Sequence, residues 1–293
     1  MRVFPAALAV RSIAALVACC ATPAIAQDAS PPPNPQTTSS SLAADTLTVG
    51  VAAVYLTDYE GSDDYRFVPA PGAIGSYKGY SFQLAGNRLS ADLIRTPSGP
   101  GIDLQAGPLA VVNFDRSNVD NIDSARVRAL GERDTAIEIG GYVGIGKTGV
   151  ITSEYDQLSA TLSYRTDVAG AHGGGIWQPS VSYFTPLSTK AAVGLFGSLE
   201  HVSGDYARYY FTIDPTAAAA SGLPAFDADG GWKNYTLGVI GTYALTGDLL
   251  HGVKVVAGGT YKRMLGDFGD SPIVSQEGSR GQWLLAAGLA YTF

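Results

Sequence analysis

The run from Gly141 to Thr148 (GYVGIGKT) meets the phosphate-loop pattern G-x-x-x-x-G-K-[ST] letter for letter. That chemistry needs a strand, a turn of backbone N–H groups and a helix N-terminus around the phosphates. Here the glycines continue a strand-like alternation and GVITSEYDQ follows without a helical stripe. The run reads as a glycine-rich strand end turning at Lys147, Thr148 and Gly149. Glu200-His201-Val202-Ser203 approximates a His-x-Ser-Asn arrangement that could hydrolyse lipid acyl esters, but Gly204 stands where the Asn belongs. His172 and His251 have no Cys or second His at ligand spacing, so no transition-metal or cofactor site is expected. Asp58, Glu60, Asp63 and Asp64 could bind a divalent cation. A solvated acidic loop is the preferred reading, with no dedicated metal site. The expectation is a protein that is not an enzyme and carries no catalytic residues.

The elements that must position these residues are legible in the composition. The chain of 293 residues is 46% apolar and only 15% charged, against roughly 25% charged in ordinary soluble domains. Thirty-six Gly argue against a mostly helical protein, since each interior helical Gly costs about 1 kcal/mol relative to Ala. A net charge of -7 without a Lys/Arg cluster sets nucleic acid aside as a partner.

Residues 1–26 carry Arg2 and Arg11, a small-apolar run and Ala24-Ile25-Ala26, the pattern of a cleaved secretory signal. Leu16-Val17-Ala18-Cys19 offers lipoprotein processing as a rival route. By either route no internal disulfide can form in the mature chain, because both Cys lie in this segment. Residues 27–45, rich in Pro, Ser and Thr, read as a flexible tether. The remainder, 46–293, reads as one domain.

That domain has period two. Leu47, Val49, Val51, Ala53 and Tyr55 fall on one face, and Thr46, Thr48, Gly50 and Ala52 on the other. The pattern recurs along the chain. A soluble sandwich could produce it, with the apolar face inside. An inside-out barrel, apolar to lipid and small or polar to its interior, fits better for three reasons. The segments run about 9 to 14 residues, near what a tilted strand needs to cross a bilayer. Tyr and Phe gather near segment ends, at Tyr55, Tyr80, Tyr164, Tyr183 with Phe184, Tyr243, Tyr261 and Tyr291. The chain also ends WLLAAGLAYTF, placing Leu289, Tyr291 and Phe293 on one face, as in the C-terminal signal read by the barrel assembly machinery.

The predicted fold is therefore all-β, a transmembrane antiparallel up-and-down barrel in a bacterial outer membrane, contacting its lipid and lipopolysaccharide. Twelve strands are predicted: 46–56, 69–77, 80–95, 101–114, 134–146, 155–168, 173–185, 190–202, 206–213, 232–245, 250–264 and 281–293. Ten remain open because 206–213 is weak. If the first strand rises from the periplasm, 57–68, 147–154, 214–231 and 265–280 face outward. The turns at 78–79 and 246–248 face inward, and 115–133 becomes a long periplasmic segment that violates the usual pattern, either a slip of register or a docking element.

The stretch Tyr59, Glu60, Gly61, Ser62, Asp63, Asp64, Tyr65, Arg66, followed by Pro69 and Pro71, resembles the MipA/OmpV family of Gram-negative outer-membrane proteins. Further matches are Tyr210-Phe211, Ser221-Gly222-Leu223-Pro224, Gly230-Gly231 and Asp270-Ser271-Pro272-Ile273-Val274, in order. The resemblance implies an outer-membrane barrel and brings no catalytic residues. It also implies, for the namesake, a scaffold bridging a lytic transglycosylase and a murein synthase. The functional expectation is such a non-enzymatic cell-wall scaffold. A small channel or a surface adhesin is the alternative, and an outer-membrane lipid hydrolase the weakest.

Overall fold

The computed structural model describes residues 45–97 and 101–293. The expected signal segment 1–26 and nearly all of the tether 27–45 lie outside the described residues. Twelve antiparallel strands close into a barrel in which each strand pairs with its sequence neighbours and β1 pairs with β12. The strands are β1 (Thr46–Thr57), β2 (Tyr65–Tyr77), β3 (Tyr80–Ala85), β4 (Arg88–Asp92), β5 (Ile102–Asn113) and β6 (Ala136–Thr148). They continue with β7 (Gln157–Asp167), β8 (Gly175–Pro186), β9 (Ala191–Val202), β10 (Gly231–Ala244), β11 (Gly252–Met264) and β12 (Gly281–Thr292). Closure leaves no sheet edge, so every strand finds partners on both sides.

The predicted count of twelve is right through two compensating errors. The segment 80–95 is not one strand. It folds back at Gly86-Asn87, and Gly86 takes φ +56°, the left-handed backbone a two-residue hairpin turn demands. The segment 206–213 is not a strand but falls largely within helix α2 (Gly204–Phe211). Tyr206, Ala207, Tyr210 and Phe211 bury one helical face there, a spacing of one and four that alternation cannot satisfy.

The early hairpin reverses the direction of every strand from β5 to β9. As a result 114–135 emerges at the same end as 58–64, 203–230 and 265–280, and the expected periplasmic placement of 115–133 is overturned. By the same inversion 149–156 joins the short connections 78–79, 187–190 and 245–251 at the opposite end, so it is not one of the long outward loops expected for 147–154.

Alternation sets the two faces of the wall. On β6, Ile137, Ile139, Val143 and Ile145 are exposed outside, while Glu138, Tyr142 and Thr148 are buried inside. Aromatics mark both rims of the outer face. Tyr164 packs on Trp177 and Tyr261 on Trp283 at the long-loop end, with ring centroids 4.7 and 5.0 Å apart. Tyr77, Tyr80, Tyr243, Tyr291 and Phe293 mark the short-turn end. Phe184 departs from the expectation, since it is buried on the inner face.

The long connections form a cap with its own apolar core. One cluster joins α2 to Ile176, Val202, Met264 and Phe268, and a second joins Tyr59, Ile122, Val127, Ile213, Leu223 and Ile273. Four short helices complete the cap: α1 (Ala125–Arg128), α3 (Pro215–Ser221), α4 (Gly266–Asp270) and α5 (Pro272–Ser275).

Candidate functional site

Directly beneath the cap, charged side chains cross the lumen in an alternating ladder. Glu138 on β6 meets Arg165 on β7 at 2.5 Å, and Arg165 meets Glu200 on β9 at 2.5 Å. Glu200 meets Lys233 on β10 at 2.8 Å. Lys233 continues to Glu60 of the first loop at 3.0 Å, and Glu60 to Lys262 on β11 at 3.1 Å. His172 lies 3.3 Å from Glu138, and Asn234 donates to Glu200 at 3.1 Å. Glu138, Arg165, Glu200 and Lys233 are at most 1% exposed, so these four charges are shielded from solvent. Charges so placed persist only when each is paired on more than one side.

Lys233 escapes a reading by alternation. The neighbouring inward residues of β10 are Asn234 and Thr236, which would put Lys233 outside. A bulge between Trp232 and Asn234 shifts the pairing with β9, turning Trp232 outward and Lys233 inward. The local signal in the sequence is a Trp and a Lys on the wrong faces for a lipid-facing wall.

Most of the motif residues between 59 and 66 build a strap over this ladder. Tyr59 donates its hydroxyl to the Ile273 and Glu277 carbonyls. Glu60 turns into the lumen, where the Tyr206 hydroxyl donates to it at 3.2 Å and its own N–H donates to Asp115 at 2.8 Å. Gly61 holds φ +105° against Val274, and a Cβ there would lie 2.4 Å from a Val274 methyl. The Ser62 hydroxyl accepts the Asp64 N–H, and the Tyr65 hydroxyl accepts the Trp283 N–H. Arg66 stands half-buried at the top of β2. Pro69 and Pro71 face outward on β2 opposite Ala53 and Val51, beyond the stretch where β3 pairs, so their missing N–H groups disturb no second ladder. At the other motif, Ser271 donates to the Phe211 carbonyl and Pro272 opens α5. Leu289, Tyr291 and Phe293 share the outer face of β12 at the short-turn end.

The loop groups feel this burial. Burial raises Glu60, but Lys233 and Lys262 outweigh it and hold its carboxyl below the usual range. Asp115, buried beside Glu60, is pushed up to about 6, mainly by desolvation and against the pull of Arg116. Arg116 adopts φ +52°, sits 3.7 Å from Asp115 and donates to the Tyr210 carbonyl. That conformation, unusual for a residue with a Cβ, is held by the cap around it.

The four acids read together in the sequence separate in space. Glu60 goes to the lysines and Asp63 to the surface. Asp58 and Asp64 instead converge with Asp123, one oxygen of each lying within 4.8 Å of the others. The run from Gly141 to Thr148 lies entirely within β6, which removes the turn and helix a phosphate loop needs. His201 packs edge-on against Trp232, centroids 5.2 Å apart, and the Ser203 hydroxyl accepts the Gly175 N–H. Neither residue is arranged as a nucleophile with its base.

A family model described as MltA-interacting protein MipA matches residues 49–293. No curated protein matches the chain. Among solved structures, the chain is similar to the NanC porin, at 9% identity and a TM-score of 0.48, over 83% of this chain and 98% of that one. It is also similar to an outer membrane channel from Pseudomonas putida F1, at 14% identity and a TM-score of 0.44, over 85% and 95% of the two chains.

Proposed function

The chain belongs to the MipA family, and on that premise we propose that it is a non-enzymatic outer-membrane barrel serving as a scaffold for murein-hydrolysing and murein-synthesising enzymes of the periplasm. Support for the membrane comes from the outer face, an apolar belt between two aromatic rims on a sheet without edges. Long loops then face outside, against lipopolysaccharide, and short turns face the periplasm. Leu289, Tyr291 and Phe293 fall to the periplasmic end, where the barrel assembly machinery would engage the last strand.

The observation that carries the scaffold reading is the dry ladder of Glu138, Arg165, Glu200 and Lys233 beneath a cap with its own core. A barrel filled in this way at its long-loop end presents, at rest, surfaces to be touched rather than an open lumen. Because 114–135 emerges with the long loops, it cannot be the periplasmic docking element. Docking falls to the short-turn end and the tether 27–45. Val150, Ile151 and Leu187 stand exposed there. The family is described as MltA-interacting, and the partner class we propose, a lytic transglycosylase, is the one the family resemblance implies.

The test is affinity capture of a lytic transglycosylase and a murein synthase from solubilised envelopes. The bait is the full barrel or a variant lacking the tether and carrying a minimal Asn-Gly turn in place of 149–156. Recovery falling to background with the variant supports the reading. Undiminished recovery overturns the docking site, and no recovery with either bait overturns the scaffold itself.

A further inference from the structure

Below the ladder the lumen has two unlike walls. On the wall of β10, β11, β12, β1 and β2 the inward residues include the glycines Gly238, Gly258, Gly288, Gly50 and Gly72, all five partly accessible, beside the larger Ile240, Val256 and Leu284. Val54, Leu56 and Val68 form a buried apolar cluster on the same wall toward the long-loop end. On the opposite wall the inward polar residues, such as Gln105, Ser159, Ser163 and Gln178, are buried against one another. The accessible inward surface among the described residues therefore lies along this small-residue wall.

Charge divides in the same way. The five strands of the small-residue wall contain no Asp or Glu, yet they turn Lys233, Lys254 and Lys262 inward. The inward carboxylates Asp92, Asp103, Glu138, Asp167 and Glu200 all belong to β4 through β9. At the long-loop end the small-residue wall is roofed by the strap 58–64, which leaves β1, crosses to β10 and β11, and returns to β2. Its Glu60 carboxylate takes Lys233, Lys262 and the Tyr206 hydroxyl together. The Gly61 carbonyl accepts Ser279 N–H at 2.9 Å, and the Ser62 carbonyl accepts the Gln282 amide at 3.2 Å.

We propose that the strap is a gate, latched by Glu60, over a path along the small-residue wall that conducts small anions. With the latch closed, Glu60 neutralises the two lysines at the mouth. With it released, Lys262 and Lys233 face the path, Glu200 still balances one of them, and Lys254 waits at the far end beside Thr292, 2.7 Å away. A pore so lined, without a carboxylate on its open wall, favours chloride and small carboxylates over cations. The gate lies at the end opposite the scaffold's docking turns, so either can fail without the other.

The experiment is single-channel recording of the purified full barrel in planar bilayers under a KCl gradient, for wild type, Glu60→Gln and Lys262→Met. Heat-modifiable migration verifies that each barrel is folded. The expected result is a wild type closed nearly all the time and sustained conductance for Glu60→Gln with a reversal potential on the chloride side. Adding Lys262→Met to Glu60→Gln should move that potential toward zero. A folded Glu60→Gln barrel that stays silent, or that conducts with cation preference, overturns the proposal. Should Glu60→Gln fail to fold, Lys262→Met, at the edge of the ladder, decides: intermittent openings support the gate and silence overturns it.

Discussion

Lys233 and Glu200 meet at 2.8 Å across adjacent strands only because β10 carries one extra residue there. The bulge aims the ammonium into the lumen, where Glu60 completes its neutralisation from a loop 173 residues away in sequence. Arg165, Glu200, Lys233 and Glu60 are thus each held by two oppositely charged partners, and the ladder's energetics should be collective.

Glu200→Ala leaves Arg165 and Lys233 each short of a partner in a dry environment. The expected cost is about 3–5 kcal/mol, the usual penalty for stranding a buried charge. Urea unfolding followed by tryptophan fluorescence measures it. The double variant Glu200→Ala with Lys233→Met should lose less than the sum of the single losses, because the second change removes a charge the first had stranded. Additive losses would show that the pair is not coupled.

Asp115 supplies a pH dependence with a defined sign. Its carboxyl titrates at about 6 in the folded protein because burial disfavours the charged form, against 3.8 as its ordinary value. Between these values the folded state binds the extra proton, so this group's contribution to stability is present at low pH and falls as pH rises from about 4 to about 6. The total is on the order of 3 kcal/mol. Asp115→Asn should remove that slope. Urea midpoints at pH 4.5 and 7 compare the two proteins, and parallel pH profiles would contradict the assignment.

The hairpin at Gly86-Asn87 sets the direction of the strands that follow. Single cysteines replacing Asp63 and Asp120 should label from outside intact cells with a membrane-impermeant maleimide, whereas one replacing Ile151 should label only after the outer membrane is opened. Labelling of 63 and 120 from opposite sides would refute the topology.

Gly86→Val places a branched side chain at φ +56°. The expected loss is about 1–2 kcal/mol, the cost of a left-handed residue with a Cβ. Thr189→Val, at an exposed turn position without a positive φ, has no such strain to introduce and serves as the control in the same unfolding assay.

Phe293 ends the outer face of β12 with its ring 4.8 Å from that of Tyr291. Phe293→Ala should lower the fraction of heat-modifiable, assembled barrel in membranes while leaving total synthesis unchanged. Equal assembled fractions would remove the assembly role assigned to Leu289, Tyr291 and Phe293.

Alternation alone determined the architecture: a period of two is a property of neighbouring residues, so the strands, their lipid-like face and the terminal aromatics are legible without coordinates. The same locality explains what was misread. The hairpin inside 80–95 only shifts the alternation by one residue at Gly86-Asn87, from outward Phe82 to outward Leu89, which a continuous-strand reading passes over. The aromatics of 204–211 suit a strand as well as a helix until a cap core selects one face of them. The site was further from reach. The motif from Tyr59 to Arg66 stood out as a pattern, but nothing local says that Glu60 turns inward while Asp58 and Asp64 meet Asp123, or that Lys233 leaves the outer face. Those outcomes depend on which strand ends are brought together when β12 closes on β1, and on a bulge whose effect exists only relative to its partner strand. Only the closed barrel decides which charges become neighbours, because the desolvation that forces them to pair arises when the cap shuts over the lumen.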